Sequence, residues 1–569
     1  MDRKTLWVAA LFVLSAVGLV YGWHLFWFLC DDAFIAFRYV SNSQFGLGYT
    51  WNPPPFRPVE GYTSFLWVVI LDYIWSWFGV EPPDSANWAS LAFSLGMLVW
   101  IFKIGLQMKL SESLEPWRLP MLASVLFGTL TNRTFLAWTS SGLETAMFTF
   151  FLLGWFAFAA NPRPGRAWTT TVVALASLIT LSRPDGLLFL AATAAIVVAR
   201  WWFQWKKGEL GPIDAVVVLP VLGPFAHTMW RYSYYGYWLP NTYYAKHVGA
   251  WPLAGIQYLS AFCLEYGSWV FLVAAIAAGV ALTARGALRK QWPLTESFCI
   301  RSFAVLAIIG QFVYYTALVG GDHFEFRIYQ HLVPLILFGL WRVLDAAWGS
   351  VKVSAAAVVF MIAIGLPIPW IHWAHTHDLQ VRTQTFKLRY QVAPHFPAPI
   401  RWYAEAWDEL QHWMIGHFVG NRHQGHKVFW KDQMSRFPSR EEGLKIDGKD
   451  FPVYAEVSVG VPAWTMPHVV ILDKLGLNDA IVARSPAART SQNRRMMAHD
   501  RRPPKGYLGC FRPNLEIKVD EPKKGTPLEK VNGRKTTVVI TPRRKPLTEQ
   551  EIRACESEFM ARALESGAH

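Results

Sequence analysis

Long uninterrupted apolar runs decide what this chain can fold into. Segments near 6–29, 61–79, 86–107, 119–138, 142–160, 168–182, 186–205, 213–231, 255–284, 302–319, 328–346 and 353–371 have the length and apolarity of bilayer spans. Lipid offers the backbone no hydrogen bonds, so such runs close their own as helices. Thirty tryptophans suit aromatic belts at lipid–water interfaces. Charge then divides the chain. Residues 1–371 hold 23 Lys/Arg and 18 Asp/Glu, whereas 372–569 hold 31 and 22 in roughly half the length. A lipid-embedded part therefore gives way to a water-facing part near residue 371. The net charge of +14 carries no aromatic–basic motif, which excludes nucleic-acid binding as a reading. Met1-Asp2-Arg3-Lys4 precedes an apolar run without a small-residue cleavage site, so the run reads as the first membrane helix.

The 61–79 segment decides the topology. It opens on Gly61-Tyr62-Thr63-Ser64 and carries Asp72. If it does not span, residues 30–85 form one long outer loop. The short basic loops 103–118, 161–167, 200–212, 285–301 and 347–352 then all face the cytoplasm, as the positive-inside rule asks. If it spans, all five turn outward. The expectation is therefore a polytopic α-helical membrane protein with eleven spans in a bacterial inner membrane. Its N-terminus is inside and its C-terminal α/β domain is periplasmic.

The opposite loops collect the unusual residues: Asp31-Asp32, Glu60-Gly61-Tyr62, Ser141-Gly142-Leu143-Glu144, Arg183-Pro184-Asp185-Gly186, Leu239–Lys246 and Gly320-Gly321-Asp322-His323 with Arg327. Ionisable groups gathered at one set of helix ends suggest a shared watery site. Two adjacent carboxylates repel and lose hydration unless a metal, an arginine or a substrate compensates. Asp31 or Asp32 could take the proton of an attacking hydroxyl. The pair could also hold a divalent cation, such as Mg²⁺, Mn²⁺ or Ca²⁺, with waters. A helix cap is the plain alternative. Arg38, Arg57, Arg183, Lys246 and Arg327 could neutralise a departing phosphate, or simply snorkel to headgroups. Asn241, Tyr243, Tyr244 and Lys246 suit sugar contacts. Glu60, Glu144, Asp185 and Asp322 are further acids, and Tyr62 lies beside the first of them. Asp322 with Arg327 could equally be a structural pair. The histidines, His323 among them, read as interfacial.

A membrane helix ending in Asp-Asp, a long first outer loop and a C-terminal outer domain resemble the GT-C superfamily of polyprenyl-phosphate-sugar glycosyltransferases. Asp31-Asp32-Ala33-Phe34-Ile35, Arg38, Asn42, Gly46-Leu47-Gly48, Asn52, Glu60-Gly61-Tyr62-Thr63-Ser64 and Trp67 resemble the mycobacterial terminal arabinofuranosyltransferase group. The later loop motifs and Asp473–Asp479 are similar to that group too. The resemblance implies a polyprenyl-phosphate pentose donor, with D-arabinofuranose favoured, and an outer glycan or glycoprotein acceptor. It makes the aspartate pair the catalytic acids, with Asp31 first as base. A transporter or flippase of lipid-linked sugars is the reading from another class. It would place charges at the midplane and show repeated halves.

Beyond residue 371 an apolar stripe marks a helix over 401–417. Lys427–Trp430, Phe451–Val461, Val469–Leu472 and Val538–Ile540 read as strands. The expected organisation is a membrane catalytic domain over 1–371, an α/β domain over 372–514 and a basic, partly disordered tail over 515–569. Among five scattered cysteines, Cys510 and Cys555 could pair if that region lies outside the membrane.

Overall fold

A computed structural model describes residues 2–247, 249–286, 294–381, 394–487, 496–497, 500–519 and 536–566. Six of its helices are long and apolar enough to cross a bilayer: Arg3–Leu25, Pro82–Gln107, Pro184–Lys207, Pro212–Tyr235, Glu296–Val319 and Val351–Thr376. The chain is thus a multi-pass membrane protein. The expected run 255–284 is not one straight helix. Pro252–Tyr266 and Trp269–Ala284 meet at 93° and add a seventh span if they cross together. Gly267 turns the chain there with a left-handed φ of 63°, and a side chain would strike the Met361 carbonyl. Four other expected spans are shorter. The helices Arg118–Leu130, Thr145–Ala159, Arg166–Ser182 and Leu332–Trp348 have 13 to 17 residues. At 1.5 Å per residue they reach about 20–26 Å, short of a ~30 Å hydrocarbon core. Long apolar helices therefore number fewer than the eleven spans expected.

The Phe65–Phe78 helix in the decisive segment has 14 residues. Its Asp72 accepts hydrogen bonds from Ser43, Gln44 and Tyr49, which pin it to the Asp31–Gln44 helix. The two sets of loops stay apart. Among the basic loops, Arg166 bonds Asp214, Arg200 bonds the Arg163 carbonyl and Arg301 bonds the Ala160 carbonyl. Three of the acidic loops instead contact the C-terminal part, through Asp31 with Val461, Asn241 with Gly476 and the Asp322 carbonyl with Gly420.

That part shares its core with the membrane helices. Phe34, Phe37 and Trp67 belong to one buried cluster with Trp464, Val469 and Ile471. Strand β1 (Val453–Glu456) pairs in parallel with β2 (Val470–Asp473), Val453 opposite Val470. The short helix Gly460–Thr465 crosses between them. β3 (Leu515–Val519) and β4 (Thr536–Ile540) form an antiparallel pair. The helix expected near 401–417 spans Ala398–Gly416. Two strand expectations need correction. Lys427–Trp430 lies inside the His423–Arg436 helix, where its three apolar positions were too few to set a period. Phe451–Val461 yields only β1 and the start of the crossing helix. The described part of the 515–569 tail contains β3, β4 and a helix. Thr548 and Glu551 cap the helix Glu549–Glu565 reciprocally, and Cys555 on it is disulfide-bonded to Cys510. The 520–535 stretch lies outside the described residues.

Candidate active site

The aspartate pair opens a helix. Asp31–Gln44 begins at Asp31 with Cys30 as its N-cap, so both carboxylates sit in the first turn. The positive end of the helix dipole favours them there. Two turns of chain fix its position. Leu29 bridges to Ser141, with Ser141 N–H donating to the Phe28 carbonyl at 3.0 Å and Cys30 N–H to Ser141 at 3.2 Å. Ser141 adopts a φ of 89°, rare for a side-chain-bearing residue. Gly142 follows against Ala33, where a Cβ would approach to 2.8 Å. The Ser-Gly motif is thus the seat of the aspartate helix.

The two acids differ. Asp31 is buried, and its Oδ1 accepts the Val461 N–H at 2.9 Å. Asp32 is half-buried, and no described residue hydrogen-bonds its carboxylate. Both line a cavity of about 210 Å³ that His323 of the 320–327 loop shares with Asn421, His426 and Asp473 of the C-terminal part. His323 Nδ1 meets the Phe418 carbonyl at 3.0 Å. A carbonyl only accepts, so that nitrogen carries the proton. Phe418 itself holds a φ of 56°. Burial pushes His323 below its ordinary pKa, opposed by the nearby Asp32 charge. Asp473 caps the turn after β2, accepting from Leu475, Gly476 and Asn478; burial still raises its carboxyl.

Beside this cavity lies a charged cluster. Arg183 bonds Glu144 and Asp185, each at 2.9 Å, and the Tyr315 hydroxyl at 2.7 Å. Arg327 bonds Asp322 at 2.9 Å and lies over the Phe324 ring. Burial alone would raise the Asp322 carboxyl, but Arg327, Arg183 and Lys246 bring it below its ordinary value. Lys246 is exposed at the end of the Asn241–Lys246 helix and has no ion-pair partner among the described residues.

The remaining expected site residues are engaged elsewhere. Arg38 is fully buried and donates to the carbonyls of Trp51, Ala463, Met466 and Val469. It holds the outer part onto the aspartate helix and has no face left for a phosphate. Glu60 forms a two-pronged pair with Arg231. Tyr62 bonds the Tyr235 hydroxyl. Asn241 donates to Gly476 and Leu477 and accepts from Arg484, and Arg484 lies 4.1 Å from the Tyr244 ring centre. Arg57 reaches Glu556 and Ser557 on the C-terminal helix. In the structure these side chains meet other parts of the protein, and Arg57 keeps 56% of its side chain exposed.

The sequence reading missed the wall opposite Asp32, and a buried four-charge cluster behind it. Arg133 bonds Glu265 and Glu325, Arg422 bonds the same two glutamates, and all four are fully or almost fully buried. His372 accepts from Arg133 at 2.8 Å on one ring nitrogen and meets Gln411 at 3.0 Å on the other. Arg422 also lines the cavity. Among the described residues no three His, Cys, Asp or Glu side chains stand together as metal ligands.

Half of the chain aligns with a curated relative, a terminal β-(1→2)-arabinofuranosyltransferase of Mycobacterium tuberculosis. The two are 30% identical over 308 residues, 50% of this chain and 45% of the relative. The chain resembles a terminal arabinofuranosyltransferase. It spans under half of that relative's length. No family profile matches it. Two crystal structures of ArnT from Cupriavidus metallidurans, one bound to undecaprenyl phosphate and one in the apo state, superpose with TM-scores of 0.46 and 0.47. Each superposition covers 91% of this chain, and 92% and 93% of those chains, at 14% and 13% identity.

Proposed function

We propose that this chain is a membrane glycosyltransferase, moving a sugar from a polyprenyl-phosphate carrier to a glycan or glycoprotein acceptor on the periplasmic side. D-arabinofuranose is the favoured sugar, on the strength of the aligned relative. One observation carries the reading: the half-buried Asp32 carboxylate, unbonded by described residues, faces a cavity of about 210 Å³ at a helix start. Asp32 rather than Asp31 is the base, since Asp31 already holds Val461.

In the proposed step Asp32 accepts the proton of the acceptor hydroxyl. The oxygen attacks the anomeric carbon, and the bond from that carbon to the phosphate oxygen breaks. The phosphate keeps the electron pair and leaves on its lipid. Direct displacement inverts the anomeric centre. Lys246, exposed and unpaired beside Asp322 and Arg327, meets the departing charge at the protein surface, where an isoprenoid can arrive from lipid. A cation on the aspartate pair would add charge neutralisation, and no step above depends on it. The Cys510–Cys555 disulfide favours an oxidising compartment for the outer part.

The test is transfer of label from radiolabelled polyprenyl-phosphoarabinose to glycan or protein in membranes bearing the chain. Asp32→Asn should lower transfer by roughly 10²–10⁴-fold, the contribution of a positioned base. Full activity in both Asp31→Asn and Asp32→Asn rejects the site. Uptake of the lipid without covalent transfer rejects the reaction in favour of a transporter.

A further inference from the structure

His426 sits in the cavity wall facing the aspartates, on the His423–Arg436 helix. It is 8% exposed, and its Nε2 is buried without a hydrogen-bond partner among the described residues. A buried polar atom left without a protein partner costs free energy and calls for a reason. The ring is otherwise well held. It packs against Phe324 with centroids 4.4 Å apart and edge-on to His323 at 5.3 Å. Packing therefore explains the ring, and leaves its nitrogen unexplained.

The surroundings say what that nitrogen could bind. Burial, with the nearby Arg327 charge, pushes the imidazole well below its ordinary pKa and keeps it neutral. A neutral imidazole offers one donor and one acceptor, the inventory that matches a hydroxyl. Asp31, Asp32 and Asp473 place acidic groups on the same cavity. Among the described lining residues, Arg422 is the one arginine, and its charge is balanced by Glu265 and Glu325. A cavity of about 210 Å³ is many times what one water needs, room enough for a ring-sized polar ligand.

We infer that His426 is an acceptor-recognition residue, binding a hydroxyl of an uncharged terminal sugar ring across the cavity from Asp32. This rests on reading the cavity as the transfer site. It adds that the acceptor end is a neutral polyol, and that the phosphate of the donor stays on the Lys246 side. His426 does not touch the proton in flight; it sets where the acceptor ring lies.

The test uses the full-length, detergent-solubilised chain and octyl α-D-arabinofuranoside as probe, with binding read by microscale thermophoresis. His426→Phe keeps the ring against Phe324 and removes both nitrogens. Its expected affinity is ~3- to 10-fold weaker, the loss of one neutral hydrogen bond. His426→Asn, which keeps a donor and an acceptor, should bind between the two. A melting temperature for His426→Phe equal to or above the parent's fits a nitrogen kept for ligand; a clear fall marks a structural histidine and overturns the inference. Equal affinity in parent and His426→Phe overturns it as well. So does a parent chain that prefers the 5-phosphorylated octyl arabinofuranoside, or that binds no alkyl pentoside. Those results leave the label-transfer assay to judge the enzymatic reading separately, because it reads covalent transfer from the donor, whereas the binding measurement contains no donor.

Discussion

Glu556 offers a stability experiment whose sign can be worked out in advance. It lies on the C-terminal helix with its side chain 12% exposed, and accepts the Arg57 backbone N–H at 3.1 Å. Burial pushes its carboxyl from 4.5 up to about 7, with Asp479 nearby adding to the rise. Asp479 is itself pushed up to about 6 by burial, although Tyr507 and the backbone N–H groups of Ile481 and Val482 bond it. The folded state therefore binds more protons than the unfolded chain between about pH 4.5 and 7. Stability falls as pH rises through that window, and levels off above it. The gap between 4.5 and about 7, at ~1.36 kcal/mol per pH unit, bounds the Glu556 share at about 3 kcal/mol. Glu556→Gln keeps an acceptor for Arg57 and removes the charge. Its melting temperature should exceed the parent's at pH 8 and match it near pH 4.5, measured by scanning fluorimetry in detergent. Parallel pH profiles for parent and variant would refute the argument.

Three further outcomes follow from buried geometry. Glu325→Gln or Arg133→Met alone should destabilise by about 3–5 kcal/mol, because each leaves an unmatched buried charge. The double replacement should recover much of that loss in a double-mutant cycle, and strictly additive losses would argue against the cluster. Cys510→Ser should cost about 4 kcal/mol from a loop closure of 45 residues, seen as a lower denaturation midpoint; an unchanged midpoint counts against a stabilising bridge. Gly460→Ala should cut transfer, since its Cβ would lie 1.9 Å from the Asp31 carbonyl oxygen; undiminished transfer would mean the outer segment does not position the acid.

What the sequence made legible was residue type and chain order. Asp31-Asp32 after an apolar run marked a helix junction, and the acidic loops proved to share one end of the structure. The Ser141-Gly142 pair was legible as a turn, and its seat under the aspartate helix adds its role. Partners were not legible. Arg38 looks like a phosphate ligand until the Ala463, Met466 and Val469 carbonyls, more than 400 residues away, take its donors. Glu60 looks like a sugar ligand until Arg231 meets it. The wall holding Asn421 and His426 gave no signal, because its helix mixes apolar and charged residues without a clear stripe. Helix length was overread for a related reason. Apolarity reports what a segment touches, and a protein-buried helix of 15 residues reads like a lipid-exposed one.

The C-terminal part belongs to the candidate site itself, because it completes both the acid and the cavity. Arg38 spends its donors on outer-part carbonyls, Val461 fixes one oxygen of Asp31, and Asn241 ties the loop after β2 to the membrane side. A rigid seat of this kind removes the freedom of two adjacent carboxylates to turn away from each other. One is consumed in holding the seat, and the other is left facing the cavity. That division of labour gives a physical reason for a paired acid at this junction, where a single aspartate would have to both anchor the outer part and accept a proton.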